Sequence, residues 1–190
     1  MKFTCIASIA ALAAVPALAV ADYDEAVDGD LSDDRFAPTS VPISLGTTSV
    51  RMDVVASDAP GGDRDYFTVG VGAGESIDSI VLAENSIVSG FDDVAFIGLA
   101  FDDVFDFDPD SQTGPGLEGF VLTGSGLVGT DLLGSLSGGQ SALGPGDYTF
   151  WVQQTGPDLT TVQLDIALVP APGAAATLAL ASLGLTRRRR

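Results

Sequence analysis

The chain predicts an all-β fold, an antiparallel β-sandwich of jelly-roll type, on three observations. Short runs with period-two alternation recur along it, Gly/Pro/Asp clusters separate them, and no long helical periodicity interrupts them. Seven such runs at short spacing suit two packed sheets. Taken in order, Thr48–Val55 puts Val50, Met52 and Val54 on one face. Arg64–Gly72 sets Tyr66, Thr68 and Gly70 against Phe67, Val69 and Val71. Gly70–Ser76 reads as a hairpin turn and not as a phosphate loop, because no lysine and no helix follow it. Ser76–Glu84 is the third run, Asp93–Phe101 aligns Ile97, Leu99 and Phe101, and Leu117–Gly124 is the fifth. Gly146–Gly156 sets Tyr148, Phe150 and Val152 against Thr149, Trp151 and Gln153, and Thr160–Val169 aligns Val162, Leu164, Ile166 and Leu168. Gly126–Leu136 nearly fits a helical face, but Gly126, Gly129 and Gly134 each cost about 1 kcal/mol in a helix interior, so it predicts a loop with one turn.

Both ends depart from this pattern. Lys2, the apolar stretch Ile6–Val15 and small residues at Ala19 and Ala21, before Asp22, have the layout of a secretory signal peptide. The apolar stretch is too short for a span of about 20 residues. The expected division is a signal peptide at 1–21, an irregular acidic lead-in at 22–42, the sandwich at 43–169, and a sorting and membrane segment at 170–190. The predicted sandwich is thus flanked by an N-terminal signal helix and a C-terminal membrane helix. Signal peptidase and the export machinery are the implied partners.

Composition narrows the function classes. All 26 acidic residues fall between Asp22 and Val169, where the only bases are Arg35, Arg51 and Arg64, so this body is more acidic than the whole chain at −18. Such charge repels nucleic acid and anionic lipid and suits divalent cations. The chain has no histidine, and its one cysteine, Cys5, lies in the signal peptide. Histidine-dependent nucleophile systems and His/Cys zinc sites are excluded, leaving carboxylate chemistry.

The C-terminal segment carries Val169-Pro170-Ala171-Pro172-Gly173, then an Ala/Leu run, then Arg187, Arg188, Arg189 and Arg190. In that order the three parts resemble the PEP-CTERM sorting signal of Gram-negative-type bacteria, with Ala171 where the family usually has Glu. The resemblance implies an exosortase-type processing enzyme as partner and a place in the cell envelope, at the cell surface or in an extracellular matrix. Ala171–Thr186 would reach about 24 Å as a helix, against a hydrocarbon core of about 30 Å, and the arginines would stay cytoplasmic. In the body, Asp65-Tyr66-Phe67, Ala73-Gly74 and Gly146-Asp147-Tyr148 resemble positions of bacterial prepeptidase C-terminal β-sandwiches. That likeness implies a fold and an extracellular setting, and no catalytic residue.

Two stretches are candidates for ligand chemistry. Asp106, Asp108 and Asp110 alternate within Phe101–Gly114, so an extended strand would place them on one face, suited to calcium; a solvated acidic loop is the competing interpretation. Asp28–Asp34 has a similar acidic density. Trp151 is a candidate sugar platform, facing away from Tyr148 on an alternating strand. The expected function is a non-catalytic cell-surface or matrix protein. The alternative is a carbohydrate- or calcium-binding module, with calcium as cofactor and extracellular polysaccharide as partner, and more remotely a hydrolase using carboxylates alone.

Overall fold

A computed structural model describes residues 23–54, 63–88, 94–155 and 160–171. The expected signal peptide, and Pro172, Gly173 and Arg187–Arg190 of the expected sorting segment, lie outside the described residues. Among the described residues no helix is long and apolar enough to cross a membrane.

The elements are β1 (Tyr23–Asp24), α1 (Glu25–Asp28), β2 (Thr39–Ser40), β3 (Gly46–Val54), β4 (Arg64–Val71), β5 (Glu75–Leu82), β6 (Ala95–Ala100), β7 (Gly119–Thr123), α2 (Leu133–Leu136), β8 (Gly146–Gln154) and β9 (Thr160–Pro170). They form two sheets, β1-β3-β9-β5 and β2-β4-β8-β6-β7. All seven alternating runs are strands, and their apolar faces meet in one core. Val50, Met52 and Val54 from β3 and Val162, Leu164 and Ile166 from β9 oppose Phe67 and Val69 from β4 and Phe150 and Val152 from β8. The Phe67 and Phe150 rings stack across β4 and β8 with centroids 4.7 Å apart. A register shift between Ile77 and Ser79 lets Ile77 and Ile80, three positions apart, both point inward.

The pairing is antiparallel except at two edges. β1 lies parallel to β3, and β2 parallel to β4. The Gly70–Ser76 turn is no hairpin either: it carries the chain from β4 in one sheet to β5 in the other. The glycine-containing stretch before Leu136 forms a 3-10 turn at Ser125–Leu127 and the single turn of α2.

The acidic lead-in is part of the fold, contrary to expectation. Two of its apolar residues, Leu31 and Val41, are buried in the core. Ser32 O accepts from Tyr66 N at 2.9 Å, and Val41 N donates to Thr68 O at 2.9 Å, which fixes the segment against β4. The other end is fixed against β3 by β1 and by the Asp24–Arg51 ion pair at 3.4 Å. The lead-in therefore touches an edge of each sheet.

The sandwich also extends one residue past its expected end. Pro170 pairs with Glu75, and Ala171 N donates to Gly74 O at 2.8 Å. Pro170 lies beyond Leu168, which faces Gly46, the first residue of β3. Its missing N–H costs no ladder bond on that side. Val169 and Pro170, the first two residues of the expected sorting motif, are thus strand residues, and Ala171 is bonded to the turn before β5.

Candidate functional site

The lead-in gathers carboxylates at its crossing between the sheets. Asp24 caps α1 by accepting from Ala26 N at 3.0 Å, and Asp28 returns a carboxylate oxygen to Asp24 N at 2.9 Å. Tyr23 adds a hydroxyl bond to Gly29 O at 2.6 Å. This tight turn aims Glu25 across the segment. Its two carboxylate oxygens accept from Leu31 N at 3.0 Å and from Asp53 N at 2.7 Å. The Ser32–Tyr66 bridge then carries Asp30 alongside the start of β4, where Asp65 sits. One carboxylate oxygen from each of Glu25, Asp30 and Asp65 lies within 4.8 Å of the other two. Two oxygens about 2.4 Å from one calcium ion are at most about 4.8 Å apart, whereas magnesium holds its ligands nearer 2.1 Å.

Asp65 is the unusual member. It shares a strand face with Phe67, Val69 and Val71, the core-facing register, and is 1% exposed. Its Oδ2 is buried with no hydrogen-bond partner. Burial first, then the negative charges of Glu25, Asp63, Asp30 and Asp33, push its carboxyl up to about 9. Burial also raises Glu25, against the lowering effect of the Asp53 and Leu31 amides. No arginine of the described residues is free to neutralise the group. Arg51 pairs with Asp24, Arg64 with Asp110 at 2.6 Å, and Arg35 donates to Asp106 O at 2.8 Å while lying over the Phe36 ring. A buried, unpartnered carboxylate beside two others is costly unless a proton or a metal ion joins it.

The carboxylates expected to bind calcium are arranged otherwise. Asp106, Asp108 and Asp110 lie in a turn-rich loop between β6 and β7, not on an extended strand. Asp108 accepts from Asp110 N at 3.1 Å and from Ser111 Oγ at 2.7 Å, so it ties its own turn. Asp110 is the partner of Arg64, and Asp106 offers its backbone oxygen to Arg35. The Ser111 hydroxyl holds Asp108 below the usual carboxylate range, and Arg64 does the same for Asp110. Among the described residues, the three-carboxylate group that converges is Glu25, Asp30 and Asp65.

Trp151 does face away from Tyr148, yet both are buried. Tyr148 joins the inter-sheet core, and Trp151 joins Tyr66, Ala100 and Phe105 on the outer face of the second sheet, roofed by the β6–β7 loop. Its ring is 6% exposed and stacks on Tyr66 at 6.2 Å. A ring so covered presents no open platform. A cleft of 460 Å³ opens beside its edge, between Arg64, Phe96, Phe107, Phe120 and Gln153.

Sequence reasoning reached Asp30, through the density of Asp28–Asp34, and missed Glu25 and Asp65. The missed signal was one of parity: an aspartate occupies a core-register position of β4.

These features define an all-β sandwich clasped at one end by a carboxylate-rich segment. No protein-family model matches the chain, and no curated protein matches it. Among solved structures, the pre-peptidase C-terminal domain of a collagenase from Bacillus anthracis is 17% identical, covering 68% of this chain and 94% of that one with a TM-score of 0.37. The two-sheet architecture rests on the strand pairing itself.

Proposed function

We propose that the chain is an exported, non-catalytic cell-surface or matrix module whose N-terminal clasp binds calcium. The observation that carries the calcium reading is the buried Asp65 carboxylate, unpartnered at Oδ2 and facing Glu25 and Asp30. Oxygen-only ligands suit a hard cation, and three carboxylate oxygens within 4.8 Å of one another lie inside the reach of a calcium ion. Affinity in the range of about 10⁻⁴–10⁻³ M would suit an extracellular module. Such an ion would touch both sheets' partners at once: Glu25 bonded to β3, and Asp65 within β4. Its role is to lock the lead-in, and no step of chemistry follows from it.

Export and sorting rest on the sequence: the signal-peptide layout at Met1–Ala21 and the PEP-CTERM-like tail from Val169 to Arg190. Polysaccharide at the envelope is the partner this setting supplies.

Calorimetric titration of the wild-type protein with calcium, beside Asp65→Asn, tests the clasp. Saturable uptake of one ion by the wild type, absent in the Asn variant, is the expected result. The Asn side chain is isosteric and uncharged, so that variant stays folded. Equal uptake by both proteins, or none by either, would overturn the calcium reading. Export is checked separately by the mass of the secreted chain, which should begin at Asp22.

A further inference from the structure

The cleft beside Trp151 has the chemistry of a second, distinct ligand site. Two of the side chains that line it carry a buried donor with no hydrogen-bond partner, Trp151 at Nε1 and Arg64 at Nε. The tryptophan is more than nine-tenths buried, and the polar edge of its ring is held there by three rings. Phe96 packs at 4.3 Å, Phe105 at 5.7 Å and Tyr66 at 6.2 Å. Buried polar groups in native proteins are as a rule hydrogen-bonded, so two orphaned donors at one recess call for an acceptor from outside.

The walls narrow the class of that acceptor. Phe120 is 53% exposed on the edge strand β7 and is backed by Phe96, stacked on it at 5.5 Å, so it offers an aromatic surface to solvent. Gln112, Gln153 and Thr155 stand at the same cleft and supply groups that both donate and accept. The cleft has no net charge to offer, because Arg64 is paired with Asp110. The surrounding chain, at −18, repels anionic polymers. A volume of 460 Å³ lies within the usual range for small-ligand pockets of about 300–1,000 Å³.

The geometry points to a neutral pyranose unit of a polysaccharide as the ligand of this cleft. Its apolar ring face lies on Phe120, and its hydroxyl oxygens accept from Trp151 Nε1 and Arg64 Nε. Trp151 acts through its indole edge, and the stacking surface is Phe120, backed by Phe96. A peptide also offers donors and acceptors to the two glutamines, and the proline-rich peptide in the test below separates it from a sugar. The inference is independent of the calcium clasp, which uses none of these side chains.

Trp151 is the only tryptophan in the chain, so its emission reports on this cleft alone. The test is a fluorescence titration with cellohexaose, laminarihexaose and mannohexaose, with an alginate hexamer and a proline-rich peptide beside them. A saturable change with at least one neutral hexamer is expected, weakened about tenfold by Phe120→Ala. Arg64→Lys keeps a cation for Asp110 and removes the Nε donor, and should weaken binding as well. Phe120 is half-exposed, so its alanine variant folds, and unchanged unfolding temperature confirms this. Unaltered emission with every neutral hexamer up to about 10 mM would overturn the proposal, as would saturation by alginate or the peptide alone. Neutral-hexamer binding that both variants leave intact would overturn the assignment to this cleft.

Discussion

At the scale of the residue, Asp65 sets the chemistry of the clasp. In the unfolded chain its carboxyl ionises near the usual 3.8; in the calcium-free fold it keeps a proton to about 9. A raised carboxyl favours the fold most below the lower value, and that benefit drains away as pH climbs toward the upper one. Without calcium, the wild type should therefore lose stability relative to Asp65→Asn between about pH 5 and 9. Calcium competes with the same proton, so the rise in unfolding temperature it causes should grow over that interval. Thermal unfolding at several pH values, with calcium and with a chelator, measures both slopes; a calcium effect that shrinks as pH rises would contradict the assignment. Gly119 presents a steric counterpart. A methyl group there would meet Leu136 O at 2.6 Å and press still harder on Ser135 O. Gly119→Ala should cost about 1–3 kcal/mol in chemical denaturation, because the backbone of α2 must move away from β7.

At the scale of the element, what was legible followed from length. Strands of five to eleven residues advertise themselves by alternation, and the seven of that kind were all readable. β1 and β2 have two residues each, too few to carry a period, and their parallel pairing has no local signature. Leu31 and Val41 belong to an acidic stretch poor in apolar residues, so composition argued for an irregular lead-in where the fold has a buried clasp. Leu31→Ala should accordingly cost about 2–5 kcal/mol in denaturant unfolding, the cost of a core leucine and not of a loop residue. The β6–β7 loop was legible only in part. Its alternating aspartates suggested an extended strand, while its turns are anchored by Phe105, Phe107 and Leu117, which cover the outer face of the sheet. Glu25 and Asp65 stand forty positions apart in sequence, and only the crossing of the lead-in between two sheets brings them together.

At the scale of the whole molecule, the excess of negative charge and the clasp are linked. A chain at −18 repels itself, and ordinary salt relieves that repulsion wherever the charges are exposed. It cannot reach a carboxylate 1% exposed. Sodium chloride should raise the unfolding temperature of the wild type and of Asp65→Asn alike, while calcium adds a further rise in the wild type alone. The two sheets share one apolar core, and the clasp closes one end across their edges. The cleft at Trp151 lies on the outer face of the second sheet, away from that core, so the proposed ion site and the proposed sugar cleft use different side chains of one scaffold. The central claim is that Glu25, Asp30 and Asp65 hold a calcium ion. The most direct measurement is the anomalous scattering of crystals grown with calcium. The account predicts a peak about 2.3–2.6 Å from an oxygen of each of the three side chains. Absence of a peak there at millimolar calcium, with Asp65 Oδ2 instead sharing a proton with Glu25, would contradict it.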